Sequence, residues 1–127
     1  MGMKTEKGQS PSKTVLVIDD EADICEALEL ALSMEGYVVK AAQRREAAFS
    51  LAKKVNPAVI LLDYNMPDFN VRDFAAWLKA ENVRTPIVLM SGVSDAPAKA
   101  KDLGFAHVLS KPFDLDVLLD LLRKIAV

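Results

Sequence analysis

Apolar residues along the chain fall into two alternating kinds of run. Short unbroken hydrophobic blocks occupy 15–18 (VLVI), 58–62 (AVILL) and 86–90 (PIVLM). Less pure blocks occupy 37–41 (YVVKA) and 106–109 (AHVL). Between them, apolar positions return every third or fourth residue, the repeat of one helix face. Ile24, Leu28, Ala31 and Met34 make the first such stripe, closed by Gly36 where a helix-ending glycine belongs. Ala48, Leu51 and Val55 predict a second helix over 44–55, halted at Asn56-Pro57. Val71, Phe74, Ala75 and Leu78 mark a third, and a short fourth is predicted over 96–103, ahead of Gly104. Leu115, Leu118, Leu119, Leu122 and Ile125 stripe the last helix, with Asp114 as its expected N-cap.

Five strands alternating with five helices predict one doubly wound α/β domain, a (βα)5 unit with a parallel sheet and helices on both faces. Strand purity ranks burial. The first, third and fourth blocks are continuously apolar, as strands covered on both faces must be. Lys40, His107 and Ser110 push the second and fifth blocks to the edges. The expected strand order is therefore 2-1-3-4-5.

That order decides where the polar residues meet. Asp19 and Asp20 follow the first strand, Asp63 the third, Ser91 the fourth and Lys111 the fifth. The carboxyl ends of parallel strands share one sheet edge, and ligands bind in the crevice beyond it. Three carboxylates gathered there carry a charge of −3, which calls for compensation. Mg²⁺ fits, because it prefers carboxylate and carbonyl oxygens and keeps several waters. With Lys111 it would bring the sum to zero. A phosphoryl group would then meet metal, ammonium and hydroxyl, and an aspartate can itself accept it.

Each residue also has a plainer reading. Asp20 could cap the first helix, with Glu21 and Asp23 in its first turn. Asp63, Asn65-Met66-Pro67 and Ser91-Gly92 could be turns, and Lys111-Pro112 a solvated loop. Turn chemistry does not require all of them on one edge. His107 reads as a packed or surface imidazole, Trp77 as partial core and Phe113 as core at the entry to the last helix.

Composition narrows the partners. At 127 residues the chain is the size of one domain and can bury a core without staples. Its net charge of −2 and scattered Lys and Arg leave no nucleic-acid footprint; Arg44-Arg45 reads as a solvated helix face. The single Cys25 cannot pair within the chain, so a buried thiol in a reducing, cytoplasmic setting is expected. No apolar run reaches a membrane span, and no leader pattern opens the sequence. Residues 1–12 read as a flexible tail or expression scar and 13–127 as the domain. The sequence holds no dinucleotide, P-loop or zinc motif.

The motifs VLVIDDEAD, VILLDYNMPD, IVLMSG and LSKPF, in this order, resemble the receiver domain of two-component response regulators, chemotaxis regulators included. The resemblance implies that Asp63 accepts a phosphoryl group from the phosphohistidine of a sensor histidine kinase or phosphotransfer protein. It implies Mg²⁺ on Asp20, Asp63 and the backbone carbonyl of Asn65, with Asp19 acting through water. Lys111 would hold phosphoryl oxygens, its bond to Pro112 would be cis, and Ser91 would turn toward the phosphate. The surface of the fourth helix, fifth strand and fifth helix would switch, toward an effector domain or a second copy. A regulatory phosphoacceptor is implied, not an enzyme acting on external substrates.

Three departures from the family pattern are visible. Val108 stands where an aromatic switch residue is usual. Val71 stands where a loop glycine is common. The span from Ser91 to Lys111 is about two residues short, consistent with a short fourth helix. These departures motivate an alternative, a phosphorylation-independent receiver acting as an interaction module. A metal-dependent phosphatase is a third reading, disfavoured because no cap domain or general acid accompanies Asp63.

Overall fold

The computed structural model describes residues 13–92, 94 and 96–125. The expected tail at 1–12 lies outside the described residues. In chain order the elements are β1 (Thr14–Ile18), α1 (Ala22–Ser33), β2 (Val38–Ala42), α2 (Arg45–Lys54), β3 (Val59–Asp63), α3 (Val71–Ala80), β4 (Ile87–Ser91), α4 (Ala96–Leu103), β5 (His107–Ser110) and α5 (Leu115–Lys124). The five strands are all parallel, in the order β2-β1-β3-β4-β5. This is the expected doubly wound sheet.

Four strands, β2 to β5, are shifted by one residue toward the C-terminus of their apolar blocks. The reason is that hydrophobicity reports burial of side chains, whereas the ladder is made by the backbone. The polar residues that close each block still pair: Asp63 lies opposite Met90, and Ser91 opposite Ser110. Asp63 and Ser91 thus terminate strands instead of following them. Their backbones are held by the sheet, which fixes them more firmly than a loop would.

Period-two alternation divides the sheet into two apolar faces. Val15, Val17, Val59, Leu61, Val88, Met90 and Leu109 face α1 and α5, packing on Leu28, Leu32, Leu118 and Leu122. Leu16, Ile18, Ile60, Leu62, Ile87 and Leu89 face the other way, toward Ala48, Ala52, Phe74, Leu78 and Ala100. The strands β3 and β4 are buried throughout, while β2 and β5 expose residues as edge strands do. Phe113 and Trp77 are both half-buried against these clusters, as their patterns predict.

One stripe is corrected. The face that α1 buries runs through Cys25, Leu28 and Leu32, whereas Met34 is 78% exposed. Met34 keeps helical dihedrals and bonds the Leu30 carbonyl, but at about 100° per residue it lies roughly 160° around the helix from Leu32, away from the buried face. Beyond it Gly36 adopts φ +92°, a left-handed conformation that glycine reaches without a Cβ clash. Asp114 caps α5 as expected, accepting a hydrogen bond from the Asp116 N–H at 3.0 Å.

Candidate functional site

The carboxyl ends of β1, β3, β4 and β5 bring the predicted residues together. Asp19 follows β1 directly and is fully buried; its N–H reaches the Ala42 carbonyl at 3.0 Å, tying it to the end of β2. Asp63 and Ser91 are buried at the ends of β3 and β4, while Asp20 and Asn65 are exposed at the rim. Lys111 enters from beyond β5 because its N–H hydrogen-bonds the Ser91 carbonyl at 2.8 Å, extending the β4–β5 pairing past the last strand residue. The bond from Lys111 to Pro112 is cis.

The Lys111 ammonium then spans the crevice. Its Nζ lies 2.8 Å from Asp19 Oδ2, 3.2 Å from Asp63 Oδ1 and 3.7 Å from Glu21 Oε1. Burial works against this ammonium, but the hydrogen bond to Asp19 and the charges of Asp63 and Asp19 outweigh it, so Lys111 is held above its ordinary pKa. The balance at Asp63 runs the other way. Desolvation, reinforced by the Asp19 charge, raises its carboxyl above the usual range despite the opposing pull of Lys111. A buried carboxylate with an elevated pKa is short of positive charge, and a cation would supply it.

The donor set suits such an ion. One carboxylate oxygen each from Asp19, Asp20 and Asp63 lies within 4.8 Å of the others. Oxygens bound directly to one Mg²⁺ at about 2.1 Å can be no more than about 4.2 Å apart. The three oxygens are thus close enough to converge on one such ion, directly or through a bridging water. Asp19 is suited to the indirect place, because Oδ2 already takes Lys111 and Oδ1 takes the Glu21 N–H at 3.0 Å.

Several readings left open by the sequence are settled here. Asp20 does not cap α1: the N-cap is Glu21, in extended conformation and without a side-chain capping bond. Glu21 accordingly precedes the first turn, and its carboxylate turns to Lys111, a contact that dipole reasoning did not anticipate. Cys25 is buried as expected, but it also lies under the site, its thiol donating to the Asp19 carbonyl at 3.4 Å. Its i+4 spacing from Glu21 was the available signal. Desolvation and the Asp19 charge push that thiol up to about 11.

The departures also acquire a geometry. Val71 is the first residue of α3 and is buried, preceded by the N-cap Asn70, which accepts from the Asp73 N–H at 2.9 Å. The left-handed position of this loop is carried by Asp68, at φ 55°. Val108 lies half-buried in β5, opposite Leu89, and packs on the α2–α4 side of the sheet. Helix α4 is eight residues long, as the shortened span requires.

Comparison with known proteins agrees with this geometry. Residues 15–123 match the family described as the response regulator receiver domain, and the chain belongs to it. The cell cycle response regulator CtrA of Brucella ovis is 34% identical over 107 residues, covering 83% of this chain and 46% of CtrA. The chain thus spans about half the length of the curated relatives it matches. Among solved structures, a receiver domain from Bermanella marisrubri superposes with a TM-score of 0.82 at 30% identity, covering 92% of this chain and all of that one. Chemotaxis protein CheY4 of Vibrio cholerae gives 0.81 at 28% identity, over 91% and 99% of the two chains. The beryllofluoride-activated NtrC4 receiver domain dimer gives 0.79 at 30% identity, over 89% and 95%. This is a receiver domain of two-component signalling, a regulatory module. Among the described residues no helix is long and apolar enough to cross a membrane.

Proposed function

We propose that Asp63 is the phosphoacceptor of this receiver and that Mg²⁺ is its cofactor. The observation that carries this reading is the single ammonium of Lys111 shared between two buried carboxylates, Asp19 and Asp63. A carboxylate oxygen of Asp63 attacks phosphorus in line, and the bond to the donor's imidazole nitrogen breaks with its electron pair leaving on that nitrogen. Lys111 is placed to follow the charge as it spreads over the phosphoryl oxygens. Bound to Asp20, Asp63 and the Asn65 carbonyl, Mg²⁺ would supply positive charge to those same oxygens. Ser91, at the end of the neighbouring strand, is the hydroxyl assigned to read the new phosphate.

On this reading the phosphodonor is a histidine kinase or phosphotransfer protein, and the domain works in the cytoplasm. The phosphate adds roughly two negative charges to a site that is near neutral with Mg²⁺ bound. That change biases the α4–β5–α5 surface between two states. Leu115 and Val117, 37% and 54% exposed at the start of α5, give this surface an apolar patch for an effector domain or a second copy. Incubation with acetyl phosphate and Mg²⁺ should add one phosphoryl group by intact mass, and Asp63→Asn should add none. Equal labelling of both proteins would overturn the assignment.

Val108 favours a second reading, in which the fold binds its partner without regard to phosphate. On that reading, beryllofluoride leaves partner affinity unchanged; a change of about tenfold or more, equivalent to ~1.4 kcal/mol, rules it out.

A further inference from the structure

A cleft of about 460 Å³ opens at the edge of the sheet opposite the aspartates. It lies between the C-terminal ends of α3 and α4 and the first residues of β4 and β5, Ile87 and His107. Four residue steps along β4, about 13 Å, separate Ile87 from Ser91. The floor is apolar, made by Leu78, Val83 and Phe105, all buried or half-buried. The rim carries Lys79, Arg84 and His107, and among the described residues no carboxylate lines the cleft. Neither Lys79 nor Arg84 has a carboxylate partner among the described residues. Glu81, the nearest acid in sequence, is held by Lys53 instead.

An apolar floor with unpaired cations on one rim selects a ligand with the complementary split. The volume is that of a small-molecule site, and a few polar groups above an apolar base are how such sites fix orientation. From this complementarity we propose that the cleft binds a small amphipathic carboxylate. Its acid group sits among Lys79, Arg84 and His107, and its apolar body rests on Leu78, Val83 and Phe105. Arg84 offers a planar fork suited to a carboxylate, and Lys79 a point charge. This site is independent of the aspartate cluster, so its occupancy does not require a functional Asp63.

The test uses the whole chain, labelled with ¹⁵N and titrated with 4-phenylbutyrate while amide shifts are followed. Saturable shifts confined to 78–87 and 103–107, with a Kd in the low millimolar range or tighter, are expected. The uncharged 4-phenylbutanamide should bind at least about fivefold more weakly, as should the exposed-site variant Lys79→Ala/Arg84→Ala. Asp63→Asn should bind like the parent. Absence of saturable shifts at about 10 mM acid, or equal affinity for the amide, overturns the proposal. Binding of an acidic amphipathic peptide at these residues without binding of the small acid overturns it as well, and assigns the cleft to a protein partner.

Discussion

The Nζ of Lys111 lies 2.8 Å from Oδ2 of Asp19, although ninety-two positions separate the two residues in sequence. The same nitrogen is 3.2 Å from Asp63. One cation therefore holds together the ends of β1, β3 and β5.

Replacing Lys111 by Met leaves Asp19 and Asp63 facing each other without compensation. We expect a loss of about 1–3 kcal/mol of stability at pH 7 in urea denaturation. Phosphorylation by acetyl phosphate should slow by about a hundredfold. Because the folded-state pKa of Lys111 is raised, its contribution is complete below the unfolded value near 10.4 and lost as pH rises through the folded one. The gap between parent and variant must narrow above about pH 10.4; a gap that widens contradicts the pairing.

Asp63→Asn should abolish phosphorylation yet raise the melting temperature of the metal-free protein. Burial and the Asp19 charge lift the Asp63 pKa, so ionising it costs folding stability. That cost appears as pH rises above the unfolded value near 3.9 and levels off above the folded one. Calorimetry between about pH 4 and 7 should show the variant gaining on the parent in this window. Millimolar Mg²⁺ should reverse the order by stabilising only the parent.

Cys25 should be inert in the native state. With its thiol pushed up to about 11 and its side chain buried, reaction with a disulfide reagent at about pH 8 should be at least ~100-fold slower than in urea. The sign of the linkage follows. Stability falls as pH rises from the unfolded value near 8.5 toward about 11, because only the unfolded chain releases the proton. Rapid labelling of folded protein would show that the thiol is not packed beneath Asp19.

Val71→Gly restores the residue common in the family and should nevertheless be harmful. Val71 is buried at the start of α3, so the change removes apolar contacts and adds backbone freedom. A loss of about 2–3 kcal/mol is expected by urea unfolding. Its phosphorylation rate should stay within about threefold of the parent, since Asp68 carries the loop's left-handed turn. Unchanged stability would mean that α3 does not depend on this side chain.

Much of this protein is legible in its sequence. The purity of VLVI, AVILL and PIVLM marks β1, β3 and β4 as central, because a strand covered on both faces can hold few polar residues. Alternation of strands and helices gives a parallel sheet, and a parallel sheet gathers Asp19, Asp63, Ser91 and Lys111 on one edge. The motifs that contain them carry the family. What the sequence left open is local and competitive. Asp20 and Glu21 are adjacent acids at a helix start, and dipole and capping rules apply to both. Only the position of Lys111, brought from the far end of the chain, draws Glu21 toward the site and leaves Asp20 at the rim. The one-residue shift of four strands has the same origin. Side-chain pattern records which residues are buried, but the hydrogen-bond register decides where a strand stops, and register is a property of two strands in contact. The cleft at the opposite edge was likewise invisible, since Lys79, Arg84 and His107 belong to three different segments. The order of residues determined the fold and the address of the site; the distances and charges that give the site its chemistry exist only once the chain has closed on itself.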